Sequence, residues 1–304
     1  MNDERARVLP EVLRLATAAF GTRVEVVIAA GAGDWRAAGE AALEEVEGWH
    51  ARLSRFSGDS LVSHLARTAH RAAVRLDADT VALFADALAV WRASSGAFDV
   101  TLAGALARQG FPPSAAASVP GLHTRPDGGT VDVASAAVEG GMATIDLDEA
   151  RWSVRFRQPG VMLDFGAIAK GHALECAART LRAAGITAAL LHGGTSSVVA
   201  LGAPPGDAGW RVAIGPGAQR RALALADMAL SVSDPASQAT AAARAHILDP
   251  RTRAPVAARG IVAVTGPSAR LADAWSTALA VLGSVPPGFP EDYRALFSQP
   301  TTSS

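Results

Sequence analysis

Two stretches of the sequence carry side chains that could do chemistry within otherwise apolar surroundings. Residues 269–283 (ARLADAWSTALAVLG) have apolar side chains at helical spacing. Asp273 and Thr277 lie four residues apart in this stretch, so both should share one face of a helix. A carboxylate and a hydroxyl are hard oxygen ligands of the kind that Mg²⁺ or Ca²⁺ selects. A solvated polar stripe is the commoner interpretation of such a pair, so this helix alone does not decide between the two.

The second stretch is residues 163–175 (LDFGAIAKGHALE), which predicts a strand, a turn and a helix. Residues 161–165 are short and apolar, Gly166 and Gly171 flank the turn, and residues 173–184 have helical periodicity. A ligand could lie against the bare backbone of such a turn. The alternative is that Asp164 and the glycines only form a tight connection, and the segment by itself leaves both interpretations open.

The elements that must position these two stretches predict an α+β fold with mixed sheets and several amphipathic helices. Strands are predicted at 22–29, 187–191, 197–201 and 210–214, helices at 35–56 and 79–94, short β-like pieces within 130–156, and a surface loop at 112–129. Asp79 is the expected N-cap of its helix. We expect residues 1–304 to form one domain, or two interleaved lobes, with a frayed tail at 301–304.

Composition excludes several classes of partner. A formal net charge of −1, with both signs interspersed, gives no attraction to nucleic acid or to an anionic membrane. The 49% hydrophobic content is ample for a core. The single cysteine, Cys176, lies in the helical run after Lys170, and this position predicts a buried apolar role.

The two stretches together resemble signature blocks of the ApbE family, the FAD:protein FMN transferases. Other blocks follow in the order that the family has: Phe20-Gly21-Thr22, residues 54–60 (SRFSGDS), residues 95–101 (SGAFDVT), His192-Gly193-Gly194 and residues 246–250 (HILDP). The resemblance covers nearly the whole chain. It implies an ApbE-like fold, FAD as substrate, and an acceptor protein that carries a flavinylated Thr or Ser.

The resemblance also implies roles for individual residues. Asp273 and Thr277 would be side-chain ligands of Mg²⁺, and the backbone carbonyl of Ala169 would be a third ligand. His246 matches the catalytic histidine of the family, and a neutral imidazole can accept a proton from an attacking hydroxyl. The cofactor-binding positions are Phe20, Phe56, Ala97, Phe98, Asp99, Gly166, Lys170, His172 and Ser276. For Asp99, the residues alone favour a cap on the short helix that starts near Leu102.

The chain departs from the family pattern at several points. Ser233-Asp234-Pro235, preceded by Ser231, stands where members commonly have Thr-Ser-Gly, and Arg253-Ala254 replaces a glycine. Many members are exported lipoproteins, whereas residues 1–20 lack an apolar signal region and a cysteine for lipid attachment, so we expect a divergent cytoplasmic member.

The function predicted from the sequence is Mg²⁺-dependent transfer of FMN from FAD to a protein hydroxyl, with release of AMP. Two alternatives stay open, namely a pyrophosphatase that splits FAD into AMP and FMN, and a flavin-binding protein without catalysis. We expect Asp273→Ala to abolish metal-dependent turnover while sparing the fold.

Overall fold

The computed structural model describes residues 12–108, 141–215, 220–235, 247–257 and 260–298. The helices are α1 (Trp35–Leu53), α2 (Leu61–Thr68), α3 (Ala78–Ala93), α4 (Ala103–Arg108), α5 (Ala169–Ala183) and α6 (Ala269–Leu282). The strands are β1 (Leu13–Ala19), β2 (Thr22–Gly31), β3 (Val74–Arg75), β4 (Ile145–Asp148), β5 (Ser153–Phe156), β6 (Ile186–Gly193), β7 (Ser197–Leu201), β8 (Trp210–Ile214), β9 (Arg221–Leu225), β10 (Met228–Ser233), β11 (Val262–Gly266) and β12 (Arg294–Phe297).

A seven-stranded antiparallel sheet is the centre of the fold. Its strand order is β1-β2-β6-β7-β10-β11-β12, and each neighbouring pair is antiparallel. Helices α1 and α5 cover one face of the sheet near β2 and β6, and α6 packs on β10 and β11. The β8–β9 hairpin covers the opposite face through Trp210, Ile214 and Leu225. Because both faces are covered, β7 and β11 are buried along their whole length.

A second core lies between α6 and the smaller elements of the chain. Helices α2 and α3 and the three-stranded sheet β3-β5-β4 pack there around Phe84, Phe156 and Trp275. Phe165 meets the ring of Phe84 edge-on, with ring centroids 5.2 Å apart. The segment that leads into α5 is therefore anchored in this core, next to the large sheet.

The predicted α+β class is confirmed, and so are the strand that begins at Thr22 and the helices near 35–53 and 269–282. Helix α3 differs from its prediction, because its N-cap is Asp77, whose side chain accepts from the Thr80 N–H. Among the described residues, no helix is long and apolar enough to cross a membrane. The expected loop at 112–129 and the tail at 301–304 lie outside the described residues, and the single-domain organisation stays a prediction.

The prediction of a strand at 161–165 is wrong. Residues 161–165 do not form a strand; the Asp164 N–H donates to the carbonyl oxygen of Val100 at 2.7 Å, and the Phe165 carbonyl oxygen accepts from the N–H groups of Ile168 and Ala169. The Asp164 side chain accepts from the Gly166 N–H at 2.8 Å, so it forms the turn that precedes α5. Helix α5 then begins at Ala169, four residues earlier than its periodicity suggested.

Candidate active site

Asp273 is the carboxylate at the centre of the candidate site. It lies on α6 and is only 6% exposed. Its Oδ2 accepts from the backbone N–H of Gly171 at 2.9 Å, and its Oδ1 accepts from the hydroxyls of Ser231 at 2.7 Å and Ser197 at 3.2 Å. Within the described part of the chain these partners are hydrogen-bond donors and include no cation. A carboxylate has about four acceptor sites, so one site on Oδ2 remains for a ligand.

Close packing of α5 on α6 brings the Gly171 N–H to this carboxylate. A Cβ at position 171 would collide with the carbonyl oxygen of Ala269, so only glycine permits the two helices to approach so closely. Glu175, one turn further along α5, accepts from the Ser268 hydroxyl at 2.6 Å and from the Arg270 N–H at 3.3 Å. Glu175 therefore holds the first turn of α6 in place and fixes where Asp273 lies.

The hydroxyls on strand β10 form a network beneath the site. Ser231 and Ser233 are two residues apart and point to the same side of the strand, toward α6. Ser233 Oγ lies 2.8 Å from Ser276 Oγ and 3.3 Å from Thr277 Oγ1. Ser276 Oγ also donates to the backbone oxygen of Asp273 at 2.9 Å. The network links the two predicted metal ligands, Asp273 and Thr277, through buried serines.

A cavity of ≈ 810 Å³ opens above Asp273 and Thr277. Most of the residues that we predicted to bind the cofactor line it: Phe20, Ala97, Phe98, Asp99, Gly166 and Lys170. Lys170 donates a hydrogen bond to the Ser196 hydroxyl, and its stem lies against Gly193. The sequence therefore identified side chains that are distant along the chain and share one cavity.

The Asp99 carboxyl faces this cavity and also closes a turn before α4. Its Oδ1 accepts from the N–H and the hydroxyl of Thr101, each at 2.6 Å. Burial raises the pKa of Asp99, and the hydrogen bonds from Thr101 act against that rise. Helix α4 begins at Ala103, so Asp99 forms a turn ahead of this helix and does not cap it, contrary to what its residue type alone had suggested.

Four predicted residues do not lie on the cavity wall. The expectation that His172 lines the cofactor pocket is corrected, because its ring is fully buried. The ring lies edge-on to Trp49 with centroids 4.2 Å apart, and its Nδ1 lies 3.1 Å from Arg270 Nη1. Helical geometry explains the difference: residues two apart on α5 point in nearly opposite directions, so Lys170 faces the cavity and His172 faces the core. Burial, together with the positive charges of the nearby arginines, lowers the pKa of His172 to about 3.

Phe56 and Ser276, predicted to bind the cofactor, and Ala169, predicted to offer its carbonyl oxygen to the metal, do not line the cavity either, and their roles stay predictions. Phe56 is 53% exposed and lies under the guanidinium of Arg55, which pairs at 3.1 Å with the wall residue Asp164. Ser276 is fully buried and supports its neighbours in the hydroxyl network. Ala169 is buried as the first residue of α5, two positions before the Gly171 N–H that binds Asp273.

His246 lies outside the described residues, so its catalytic role stays a prediction. Ile247 and Leu248, which follow it in the sequence, line the cavity. The sequence analysis did not assign roles to Ser197, to Gly171 or to Ser231 as partners of Asp273. The alternation of Ser231 and Ser233 along a strand was a signal for part of this network, because it places both hydroxyls on one face.

Comparison with solved structures shows that this fold is that of flavin transferases. The chain superposes on the flavinyl transferase ApbE of Pseudomonas stutzeri with a TM-score of 0.70 at 25% identity, covering 90% of this chain and 84% of that one. The ApbE protein of Thermotoga maritima superposes with a TM-score of 0.74 at 24% identity, covering 90% of this chain and 87% of that one. The flavin transferase ApbE of Vibrio cholerae superposes with a TM-score of 0.73 at 23% identity, covering 90% of this chain and 88% of that one.

The profile of the ApbE family matches residues 20–286, and the chain belongs to that family. The resemblance seen in the sequence is thereby confirmed. A curated relative, the FAD:protein FMN transferase of Rhodobacter capsulatus, is 34% identical over 199 residues. That alignment covers 62% of this chain and 36% of the relative, so the chain spans about a third of the relative's length.

Proposed function

We propose that this chain transfers FMN from FAD to a Thr or Ser hydroxyl of an acceptor protein in a Mg²⁺-dependent reaction that releases AMP. The observation that carries the proposal is Asp273, a buried carboxylate at a large cavity that Thr277 also lines, with three of its about four acceptor sites filled by described residues. Family membership and the name of the curated relative support the same activity.

The donor set fits Mg²⁺. Among the described residues no cluster of three or more His, Cys, Asp or Glu side chains could hold a metal. Mg²⁺ does not need such a cluster, because it takes one or two carboxylates and completes its shell with phosphate oxygens and water. Asp273, Thr277 and the carbonyl of Ala169 would hold the ion. When bound, it neutralises the phosphates of FAD and the charge that develops on the departing AMP.

The charges on the cavity wall favour the same assignment. Asp99, Asp234 and Asp273 line the cavity, as does Asp164, whose charge the ion pair with Arg55 offsets; Lys170 and Arg220 are the cations that line it within the described ranges. Carboxylates repel the pyrophosphate of FAD, so its binding here requires added positive charge. A divalent cation at Asp273 would supply that charge.

The residues of the chain then have separate tasks. Phe20 and Phe98 offer apolar walls to the flat rings of FAD, and Lys170 offers a positive charge to its phosphates. In the transfer, the acceptor hydroxyl oxygen forms a bond to the FMN phosphorus, and the bond from that phosphorus to the AMP oxygen breaks. The hydroxyl proton passes to a base, for which His246 is the candidate from the sequence.

The product pattern tests this proposal. The purified chain is incubated with FAD, with and without Mg²⁺, in the presence of an acceptor domain that carries a flavinylation-type Thr, and AMP, free FMN and acceptor mass are followed. AMP together with an FMN-sized mass gain on the acceptor supports transfer. AMP with free FMN and no adduct, on a domain that another ApbE protein does modify, would instead identify a pyrophosphatase, and intact FAD throughout would indicate a binding protein. Cytoplasmic location stays a prediction from the sequence, and cell fractionation tests it.

A further inference from the structure

The turn between β1 and β2 has an unusual residue at its tip. Ala19 pairs with Thr22, so Phe20 and Gly21 form a two-residue hairpin loop, and their φ angles are 52° and 70°. Two successive positive φ angles are typical of a type I′ turn, in which Asn-Gly is preferred. A bulky phenylalanine is disfavoured in this conformation, so other contacts must hold it there.

His50 makes those contacts from the neighbouring helix α1. Its Nδ1 accepts a hydrogen bond from the Phe20 N–H at 3.2 Å. Its ring also meets the Phe20 ring edge-on, with centroids 5.1 Å apart and an interplanar angle of 69°. The first residue of a two-residue hairpin loop has an N–H that the strand ladder does not use, so His50 supplies the acceptor that this N–H requires.

Phe20 in turn is part of the cavity wall. It lines the cavity together with Gly21 and Thr22, and it packs against both hydrophobic clusters that meet behind the turn. A change in the turn would therefore move an aromatic ring that faces the ligand. His50 itself does not line this cavity, so any effect of His50 on the ligand must pass through Phe20.

We propose that His50 is a positioning residue: its Nδ1 holds the Phe20 backbone in the left-handed conformation and thereby fixes Phe20 as an aromatic wall for a flat ring of FAD. The inference rests on the proposed function, because FAD is the ligand. It requires His50 to accept at Nδ1 and hence to carry its proton at Nε2. Because the Phe20 N–H needs only one acceptor atom at the place of His50 Nδ1, another side chain with an acceptor there could restore the hydrogen bond.

The test compares His50→Ala with His50→Asn. The Asn Oδ1 can occupy the place of the His Nδ1, so it restores the acceptor without restoring the ring. Exposed His64 on α2 provides a matched control as His64→Ala. Two quantities are measured in the full chain: hydrogen exchange of the Phe20 amide without ligand, and the Kd for FAD from quenching of flavin fluorescence.

We expect His50→Ala to speed exchange of the Phe20 amide and to raise the Kd for FAD about fivefold, which corresponds to about 1 kcal/mol. His50→Asn should return both quantities most of the way to the wild-type values, and His64→Ala should change neither. Unchanged exchange in His50→Ala, or an Asn variant that behaves like the Ala variant, would overturn the inference. If the wild-type chain does not bind FAD, the proposed function fails, while the exchange measurement still decides whether His50 holds the turn.

Discussion

The replacement Asp273→Asn separates the ligand role of Asp273 from its structural role. The amide keeps an oxygen that can accept from the Gly171 N–H, and the hydroxyls of Ser231 and Ser197 can rotate to accept from its NH₂ group. Three hydrogen bonds to a charged group become neutral ones, so we expect the free energy of unfolding to fall by about 1–2 kcal/mol. The expectation that Asp273→Ala spares the fold is revised, because alanine leaves the buried Gly171 N–H without its acceptor, at about 1–3 kcal/mol for that group alone.

In Asp273→Asn, we expect a large loss of the rate of AMP release but only a small fall in the free energy of unfolding. Residues that only support a metal ligand typically contribute about 10–100-fold to affinity or activity, so loss of the ligand itself should leave less than about one hundredth of the wild-type rate. AMP release from FAD is measured across a Mg²⁺ titration, and unfolding is followed by circular dichroism in denaturant. Val90→Ala on α3 is a suitable control, because it costs about 2 kcal/mol by deleting buried methyl groups at a position that does not line the cavity.

Two results would refute this reasoning. Wild-type turnover in Asp273→Asn, with an unchanged Mg²⁺ requirement, would show that Asp273 is not a metal ligand. An equal loss of activity in Val90→Ala would show that general destabilisation accounts for the effect.

Three further predictions follow from other contacts. Ser231→Ala removes the 2.7 Å donor to Asp273 and should raise the Mg²⁺ concentration for half-maximal activity about tenfold, with recovery at high Mg²⁺; no shift would contradict a supporting role. For His172, the folded-state pKa of about 3 lies below the reference value of 6.5, so the unfolded chain takes up the proton first as pH falls. Between pH 7 and pH 5 this should lower the free energy of unfolding by about 2 kcal/mol, and His172→Gln should remove that part of the pH dependence in denaturant titrations. Glu175→Ala frees the first turn of α6 and should lower the free energy of unfolding by about 1–2 kcal/mol, whereas an unchanged value would mean that Ser268 alone caps the helix.

Local patterns predicted the elements that hold the site. Periodicity was enough for α1 and α6, and it placed Asp273 and Thr277 on one face. Periodicity was not enough at residues 161–165, because a short apolar run is compatible both with a strand in a sheet and with a buried segment that joins no sheet. The resemblance to the ApbE family supplied the residues that come together in the cavity, which no local pattern could have joined.

Contacts between distant segments could not be read from the sequence. Asp273 receives hydrogen bonds from residues 102, 76 and 42 positions away, and these depend on how α5, β7 and β10 pack on α6. The family pattern suggested His172 as a pocket residue, but a position in a helix does not state which face the tertiary structure buries. The same limit explains why the partnership of His50 with Phe20, 30 residues apart, was not foreseen.

The most direct test of the metal assignment is a crystal structure of the chain soaked with FAD and Mn²⁺ and measured near the manganese absorption edge. The account predicts one anomalous peak within coordination distance of Asp273 Oδ2 and Thr277 Oγ1, with FAD phosphate oxygens completing the shell. A bound FAD whose phosphates meet a metal elsewhere in the cavity, or no metal at all in crystals that still release AMP, would contradict it.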